Sequence, residues 1–201
     1  EIIDICCKEK VDLVDVAQDN AIEVGLVDRL QKYGFNVVGP NRSAGRIEWD
    51  KAWARRLGVK AGLRQPSFKI CRSKKEGMEY IRRQPDQPWF VKANGLCEGK
   101  GVFSTKNKKE AIEAISELKK RFGEQADIYL LEKSLTGEEF SSFAFCNGEK
   151  FWIAGNAQDH KTANDFDQGE NTGGMGCSTP PLALTPRILE KIKKEIFQKV
   201  L

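Results

Sequence analysis

The sequence predicts an α/β protein, and three features of its 201 residues favour this class. Strand patterns at residues 12–16 and 35–38 flank a helical pattern at residues 22–30, which is typical of a parallel strand–helix–strand unit. Short apolar runs then alternate with helical stripes through residues 46–133. Finally, Asn147-Gly148 lies between two alternating apolar runs and indicates a β-hairpin.

The N-terminal residues predict the first part of this architecture. Ile22, Leu26 and Leu30 share one helical face, and Gly34 is placed to end their helix. We expect residues 1–45 to be part of a Rossmann-like parallel α/β unit. Because the chain starts on a helical pattern without an initiating Met, we also expect it to be an internal piece of a longer protein.

The middle of the chain predicts a connecting helix followed by a sheet with its own helices. The Trp- and Arg-rich helix predicted over residues 46–57 contains Lys51. A basic helix over residues 72–83 and a second helix between Asn107 and Gly123 separate the strands. The strands are predicted at residues 67–71, 89–92, 102–104 and 128–131.

The C-terminal third predicts a hairpin, a long loop and a final helix. Residues 156–181, here called the polar segment, are polar and glycine-rich without a clear period, which predicts a loop. A loop of that length inside a compact domain is usually functional. Thr185-Pro186 is typical of a helix start, so we expect a helix over residues 187–200.

Composition argues against several classes of protein. Hydrophobic residues make up 40% of the chain, as in ordinary globular proteins. The net charge of +4 is too small to indicate nucleic-acid binding by itself. No apolar run is long enough for a transmembrane helix. Six cysteines without a C-x-x-C pair, and a single histidine, argue against a zinc site and favour reduced thiols in the cytoplasm. The basic helix at residues 72–83 is best interpreted as a solvated face.

The glycine-rich loop, residues 92–102 (KANGLCEGKGV), is a candidate phosphate site. Glycines let backbone N–H groups converge on an anion, and lysines add positive charge. The spacing does not match a Walker A loop, because only three residues lie between Gly95 and Gly99, where four are needed, and Gly101 follows Lys100. It does not match the dinucleotide fingerprint either, since Ser104 replaces the third glycine. The remaining interpretation is a mobile strand–loop–strand hairpin that could fold down over phosphates. The alternative is a plain β-hairpin turn without a ligand.

The linker segment, residues 132–139 (EKSLTGEE), is a candidate site for a nucleoside. It lies between two predicted strands, so its extended backbone could offer adenine a carbonyl and an N–H while an acidic side chain reaches the ribose hydroxyls. A solvated acidic turn is the alternative interpretation.

Together these residues resemble the ATP-grasp superfamily, in which a nucleotide lies between two α+β lobes. The resemblance implies that Lys51 and Lys92 hold the phosphates of ATP. It implies that Lys100, with Gly99 and Gly101, covers those phosphates as a lid. It implies contacts to adenine from the Glu132 side chain and the Lys133 and Leu135 backbone, and a ribose contact from Glu139. The domains then implied are 1–45 (partial N-terminal domain), 46–68 (connecting helix), 69–133 (small lobe with the lid) and 134–201 (start of the large lobe).

Within the polar segment, QDHK (158–161) and NTGGMG (171–176) are similar to the signature of the glycinamide ribonucleotide synthetase family. Asp159, His160 and Lys161 place three charge-capable groups in a row, and Gly173-Gly174 allows close approach of backbone to a ligand. The resemblance implies catalytic roles for Lys100, His160 and Lys161. It implies a substrate site made of Asp159, His160, Lys161, Asn171, Thr172, Gly173, Gly174 and Met175.

The family's reaction joins glycine to 5-phosphoribosylamine through a glycyl phosphate, with ATP and Mg²⁺, in purine synthesis. The sequence departs from the family pattern at AQDNAI (17–22) and at Thr162, where a Gly-Pro-Glu type turn and an Arg are usual. The family's N-terminal phosphate-binding turn and its Glu and Asn ligands for Mg²⁺ have no counterpart here, so we expect no metal ligands before Leu201. We also expect no ligation by these 201 residues alone.

Other functions remain open at this point. The chain could belong to a different ATP-grasp carboxylate–amine ligase, or it could be a non-catalytic nucleotide-binding module. A nucleic-acid binder that uses residues 72–83 is a third alternative. For the ligase we expect small-molecule partners, no nucleic acid, no membrane and a cytoplasmic location. The sequence leaves the oligomeric state open, with a monomer as our expectation.

Overall fold

The computed structural model describes residues 1–97, 99–166 and 168–201, apart from the side chains of Glu170 and Asn171. Helices and strands are mixed along the described chain, and the predicted α/β class is confirmed. No described helix combines the length and the apolar character needed to cross a membrane. All six cysteines are free thiols, of which Cys6 and Cys71 are buried.

The N-terminal residues form a small parallel α/β unit, as predicted. Its elements are α1 (Ile2–Lys8), β1 (Leu13–Asp15), α2 (Asp19–Glu23), α3 (Leu26–Lys32) and β2 (Asn36–Val38). Strands β1 and β2 are parallel, with Val14 opposite Val37. The single helix predicted over residues 22–30 is instead two helices, because Gly25 adopts a left-handed conformation with φ of 76°.

The predicted connecting helix is also two helices, α4 (Arg42–Trp49) and α5 (Lys51–Lys60). Asp50 separates them, and its carboxylate accepts a hydrogen bond from the Trp53 amide as the N-cap of α5. The Arg46 guanidinium lies between the Trp49 and Trp53 rings, 5.8 and 5.5 Å from their centroids, and spans the break. This arrangement makes Lys51 the first residue of α5.

The largest core lies between a four-stranded antiparallel sheet and two helices. In chain order the elements are β3 (Phe68–Cys71), α6 (Lys74–Arg83), β4 (Trp89–Ala93), β5 (Val102–Thr105), α7 (Lys108–Phe122), a 3₁₀ turn (Gly123–Ala126) and β6 (Tyr129–Lys133). The spatial order of the strands is β3-β6-β4-β5. Trp89, Val91 and Ala93 alternate along β4 and face α7, so Phe90 and Lys92 lie on the opposite face of the sheet.

Substituting Gly77 in α6 by alanine is expected to destabilise this core. A Cβ there would lie 2.0 Å from the Tyr129 hydroxyl oxygen, and Tyr129 is buried and donates to the Ser73 carbonyl. Relieving that overlap should cost about 1–3 kcal/mol of unfolding free energy. Urea unfolding of the Gly77→Ala protein would measure it, with Glu79→Ala on the exposed face of α6 as control. Equal stability of the two variants would contradict the packing argument.

The C-terminal third contains more strand than predicted. Strands β7 (Ser141–Cys146) and β8 (Phe151–Asp159) form the predicted hairpin. The polar segment, predicted as a loop, holds the end of β8 and three short strands: β9 (Thr162–Asn164), β10 (Gln168–Asn171) and β11 (Cys177–Ser178). These strands are stabilised by backbone pairing, β9 with β10 and β11 with β8, and are too polar for an apolar pattern to reveal.

One face of the β7–β8 hairpin carries exposed aromatic rings. Phe145 is opposite Trp152, and Phe143 lies two residues before Phe145; the exposed fractions of these three residues are 55–60%. On the other face Phe151 stacks on Phe197, with ring centroids 5.2 Å apart. Phe197 belongs to the final helix, which is confirmed. It consists of α8 (Pro186–Ile192) with Thr185 as its N-cap, a π-helical turn (Lys193–Phe197) and α9 (Gln198–Val200).

Candidate functional site

A cavity of about 420 Å³ opens where the four-stranded sheet meets the linker segment. Its wall includes five of the nine predicted nucleotide-binding residues: Lys92, Glu132, Lys133, Leu135 and Glu139. Arg55 of α5, Pro66 and Phe90, which the sequence analysis did not select, also line it. The cavity therefore combines cations, carboxylates and an apolar surface, which is the usual character of a small-molecule site.

The register of the sheet explains why these residues meet. Phe90 pairs directly with Glu132, and Lys92 pairs with Leu130, so all four side chains lie on the sheet face opposite α7. Lys92 and Glu132 are therefore diagonal neighbours on that face. Arg55 reaches Glu132 from α5.

Glu132 is the centre of a buried ion cluster. The residue is 2% exposed, and its carboxylate accepts two hydrogen bonds from Arg55, from Nε at 2.5 Å and from Nη2 at 2.9 Å. Lys92 Nζ lies 2.7 Å from the same carboxylate. Burial alone would raise the pKa of Glu132, but the hydrogen bonds from Arg55 and Lys92 outweigh it and lower the pKa below its ordinary value.

The lowered pKa of Glu132 predicts a loss of stability in acid. Its contribution is complete above the ordinary pKa of 4.5 and is lost as the pH falls through the lower pKa of the folded state. The difference in unfolding free energy between the wild type and Glu132→Gln should therefore shrink as the pH falls below about 4.5. Urea unfolding at several pH values would measure it, with the exposed Glu138→Gln as control. A constant difference would contradict the assignment.

The glycine-rich loop joins β4 to β5 and is attached to the start of α5. Lys51 Nζ donates to the Gly95 carbonyl at 2.9 Å, and the Ala52 amide donates to the Asn94 side chain at 2.7 Å. Burial lowers the pKa of the Lys51 ammonium group. Lys51 is thus held at the base of the loop and does not line the cavity wall. The positive charge of Lys92 is near enough to lower the pKa of Lys51 further.

The tip of the glycine-rich loop approaches the polar segment. Gly99 has φ of 77°, and a Cβ there would lie 3.5 Å from the Thr172 carbonyl oxygen. At Gly101 a Cβ would lie 2.6 Å from Cys97 Cβ, so the turn has no room for a side chain. The Lys100 amide donates to the Cys97 carbonyl at 2.9 Å. Glu98, within the predicted lid, lies outside the described residues.

Backbone pairing folds the polar segment onto itself. The His160 amide donates to the Gly176 carbonyl and its carbonyl accepts from the Met175 amide, while His160 Nε2 lies 3.2 Å from the Ser178 hydroxyl. The Thr172 amide donates to the Lys161 carbonyl at 2.7 Å. These bonds bring the residues around His160 next to those around Thr172.

Other contacts order this region further. A Cβ on Gly174 would lie 3.2 Å from the Asp159 carboxylate, so the backbone there passes close to an acidic side chain. Lys161 forms ion pairs with Asp159, at 4.0 Å, and with Glu139 of the linker segment. The contact with Glu139 places the predicted substrate site beside the cavity. Gly173 lies in the same turn, and the side chain of Asn171 lies outside the described residues.

The predicted site residues thus form three adjacent groups. Five line the cavity, four belong to the glycine-rich loop or its base, and the remainder lie in the polar segment. The predicted roles of the individual residues stay predictions. Arg55 was missed, although its position four residues after Lys51 on one helix was a signal that both cations share a face.

Metal ligands are not grouped in the described part of the chain. There, no three His, Cys, Asp or Glu side chains lie close enough to hold a metal ion. Ligands for Mg²⁺ beyond Leu201 remain a prediction.

Known proteins are similar to this chain in sequence and in fold. The phosphoribosylamine–glycine ligase of Chlorobaculum tepidum is 33% identical over 202 aligned positions, which cover 100% of this chain and 48% of that protein. That of Streptococcus pneumoniae serotype 4 is 36% identical over 218 positions, which cover 100% of this chain and 52% of that protein. The chain spans about half the length of the curated relatives it matches.

Solved structures agree with this likeness. The crystal structure of phosphoribosylamine–glycine ligase from Thermotoga maritima has a TM-score of 0.70 at 34% identity, over 82% of this chain and 42% of that chain. The biotin carboxylase domain of Hydrogenobacter thermophilus 2-oxoglutarate carboxylase, solved with MgADP, shares the fold, with a TM-score of 0.73 at 18% identity over 98% of this chain and 44% of that chain. The family model for the phosphoribosylglycinamide synthetase ATP-grasp (A) domain matches residues 49–201. The chain therefore belongs to the phosphoribosylglycinamide synthetase family.

Proposed function

We propose that this chain is the nucleotide-binding part of a phosphoribosylamine–glycine ligase, which joins glycine to 5-phosphoribosylamine and gives glycinamide ribonucleotide, ADP and phosphate. The observation that carries the proposal is the cation cluster at one cavity: Lys92 and Arg55 flank one buried carboxylate, beside the linker segment. Family membership and the names of the full-length relatives support the choice of reaction.

The cavity fits ATP in size and in chemistry. Its volume of about 420 Å³ lies within the usual range for small-molecule sites. Lys92 offers positive charge to phosphates, Phe90 and Leu135 offer apolar surface to a purine ring, and Glu139 offers a carboxylate to ribose hydroxyls. The MgADP bound to the Hydrogenobacter domain supports a nucleotide in this fold. Bound ATP would supply the phosphoryl group that turns a carboxylate into a reactive acyl phosphate.

The residues of the chain would bind, orient and shield. Lys92 and Lys51 would neutralise phosphate charge, and the backbone at Lys133 and Leu135 would hydrogen-bond the adenine edge. The glycine-rich loop, with Gly99, Lys100 and Gly101, would close over the phosphates and exclude water, which would otherwise hydrolyse the acyl phosphate.

The polar segment would hold the two other substrates. His160 and Lys161 offer proton donors to a carboxylate or a phosphate, and Asp159 offers an acceptor to an amine. Gly173 and Gly174 let the backbone of their turn approach the same ligands closely. Mg²⁺ is part of the proposal through the family alone, and we assign it no step. The domain limits, a cytoplasmic location and a monomeric state belong to the proposal in the same way.

Glycine-dependent release of ADP from the full-length protein tests this function. With ATP and 5-phosphoribosylamine, glycine should start turnover, whereas alanine, glutamate and bicarbonate should not. Turnover with another carboxylic acid would show that this acid, and not glycine, is the substrate. ATP binding without turnover of any of these carboxylic acids would identify a non-catalytic nucleotide-binding module. The 201 residues alone should give no glycine-dependent ADP, and turnover by them would contradict that part of the proposal.

A further inference from the structure

The buried cluster poses a problem for nucleotide binding that Arg55 resolves. Lys92 donates to the Glu132 carboxylate at 2.7 Å, so its ammonium group is already paired before a phosphate arrives. A phosphate that attracts the Lys92 ammonium group would draw it away from Glu132. Without Arg55, the Glu132 carboxylate, which is 2% exposed, would then be left without a cation, and a buried charge without compensation is strongly disfavoured.

Arg55 covers both oxygens of that carboxylate. Its Nε lies 2.5 Å from Oε1 and its Nη2 lies 2.9 Å from Oε2, the oxygen that Lys92 also contacts. This bidentate geometry leaves Glu132 fully hydrogen-bonded when Lys92 departs. Two cations for one carboxylate give the cluster a surplus of one positive charge, which an incoming phosphate would neutralise.

The position of Arg55 is itself fixed. Gln65 donates to the Arg55 backbone carbonyl at 3.1 Å and accepts from Arg55 Nη1 at 3.4 Å. Gly58 provides the space for Gln65, since a Cβ there would lie 2.6 Å from the Gln65 amide group. The arginine is therefore held by α5 and by Gln65 independently of Lys92.

We propose that Arg55 is a positioning residue that keeps Glu132 neutralised while Lys92 moves from Glu132 to a phosphate oxygen of the nucleotide. This proposal rests on the proposed function. Arg55 acts through Glu132 and Lys92, so its removal should weaken the binding of phosphate-bearing ligands and leave the binding of the nucleoside unchanged.

Calorimetric titration of the full-length protein with ATP and with adenosine tests this role. Arg55→Gln should bind ATP about tenfold more weakly than the wild type, because Lys92 would stay on Glu132 and its charge-assisted contact with phosphate would be lost. The affinity for adenosine should change by less than about twofold. Arg55→Lys keeps one cation on Glu132 and should lose less. Arg56→Gln, an exposed change at the next position of α5, is the matched control and should match the wild type.

A double-mutant cycle with Lys92→Met isolates the coupling. If Arg55 acts through Lys92, adding Arg55→Gln to Lys92→Met should cause no further loss of ATP affinity. Equal losses for ATP and adenosine, additive losses in the cycle, or an unchanged ATP affinity in both Arg55 variants would each overturn the proposal. A wild type that binds adenosine but not ATP would overturn the proposed function as well.

Discussion

Lys92→Met is expected to weaken ATP binding to the full-length protein by about 10- to 100-fold, the range for one contact between charged groups. The fold should persist, because Arg55 remains on both oxygens of Glu132 after Lys92 is removed. Methionine keeps much of the length of the aliphatic stem without the charge. Calorimetric titration with ATP measures the loss, and far-UV circular dichroism checks the fold.

Lys69→Met is the matched control for this experiment. Lys69 lies in β3 of the same sheet, but its ammonium group is exposed and paired with Glu76, outside the cavity. The Lys69→Met protein should bind ATP with the affinity of the wild type. Unchanged ATP affinity in Lys92→Met would show that the phosphates lie elsewhere and would remove the main support for a nucleotide in this cavity.

Glu132→Ala is expected to produce the largest loss of stability. It would leave Arg55 and Lys92, with side chains 28% and 22% exposed, facing each other without their carboxylate. Breaking a buried pair by removing one partner costs about 3–5 kcal/mol. Urea unfolding of the full-length protein, followed by circular dichroism, would measure this loss.

Two further variants separate charge from cavity formation at this position. Glu132→Gln keeps the volume and some hydrogen bonds, so it should recover part of the loss but not the part that depends on charge. Glu138→Ala, an exposed carboxylate of the linker segment, should change stability by less than about 0.5 kcal/mol. A loss below about 1 kcal/mol in Glu132→Ala would mean that the cluster contributes little to folding.

Apolar periodicity predicted most of the fold but not its breaks. The antiparallel strands around Trp89 and the helix ending at Gly123 follow from alternation and capping, and both are present. The interruption at Gly25 was missed because the apolar positions of residues 22–30 continue on one face across it. The break at Asp50 was missed because, in sequence, an N-cap residue inside a helical pattern cannot be told from a surface residue of one continuous helix.

The candidate site was predictable where local sequence carries the signal. The glycine-rich loop and the linker segment contain several constrained residues close together, and five residues chosen from them line one cavity. Arg55 depends instead on a contact with Glu132 across 77 positions of sequence. The strands of the polar segment depend on backbone pairing, which leaves no side-chain pattern.

The bare rings of Phe143, Phe145 and Trp152 have a practical consequence for work in solution. Three large rings exposed to water on one face of the hairpin favour self-association, and the tendency grows with protein concentration. Crystallisation trials and scattering measurements on this chain would therefore sample aggregates sooner than dilute assays do. A charged residue in place of Trp152 would improve solubility without entering the cavity.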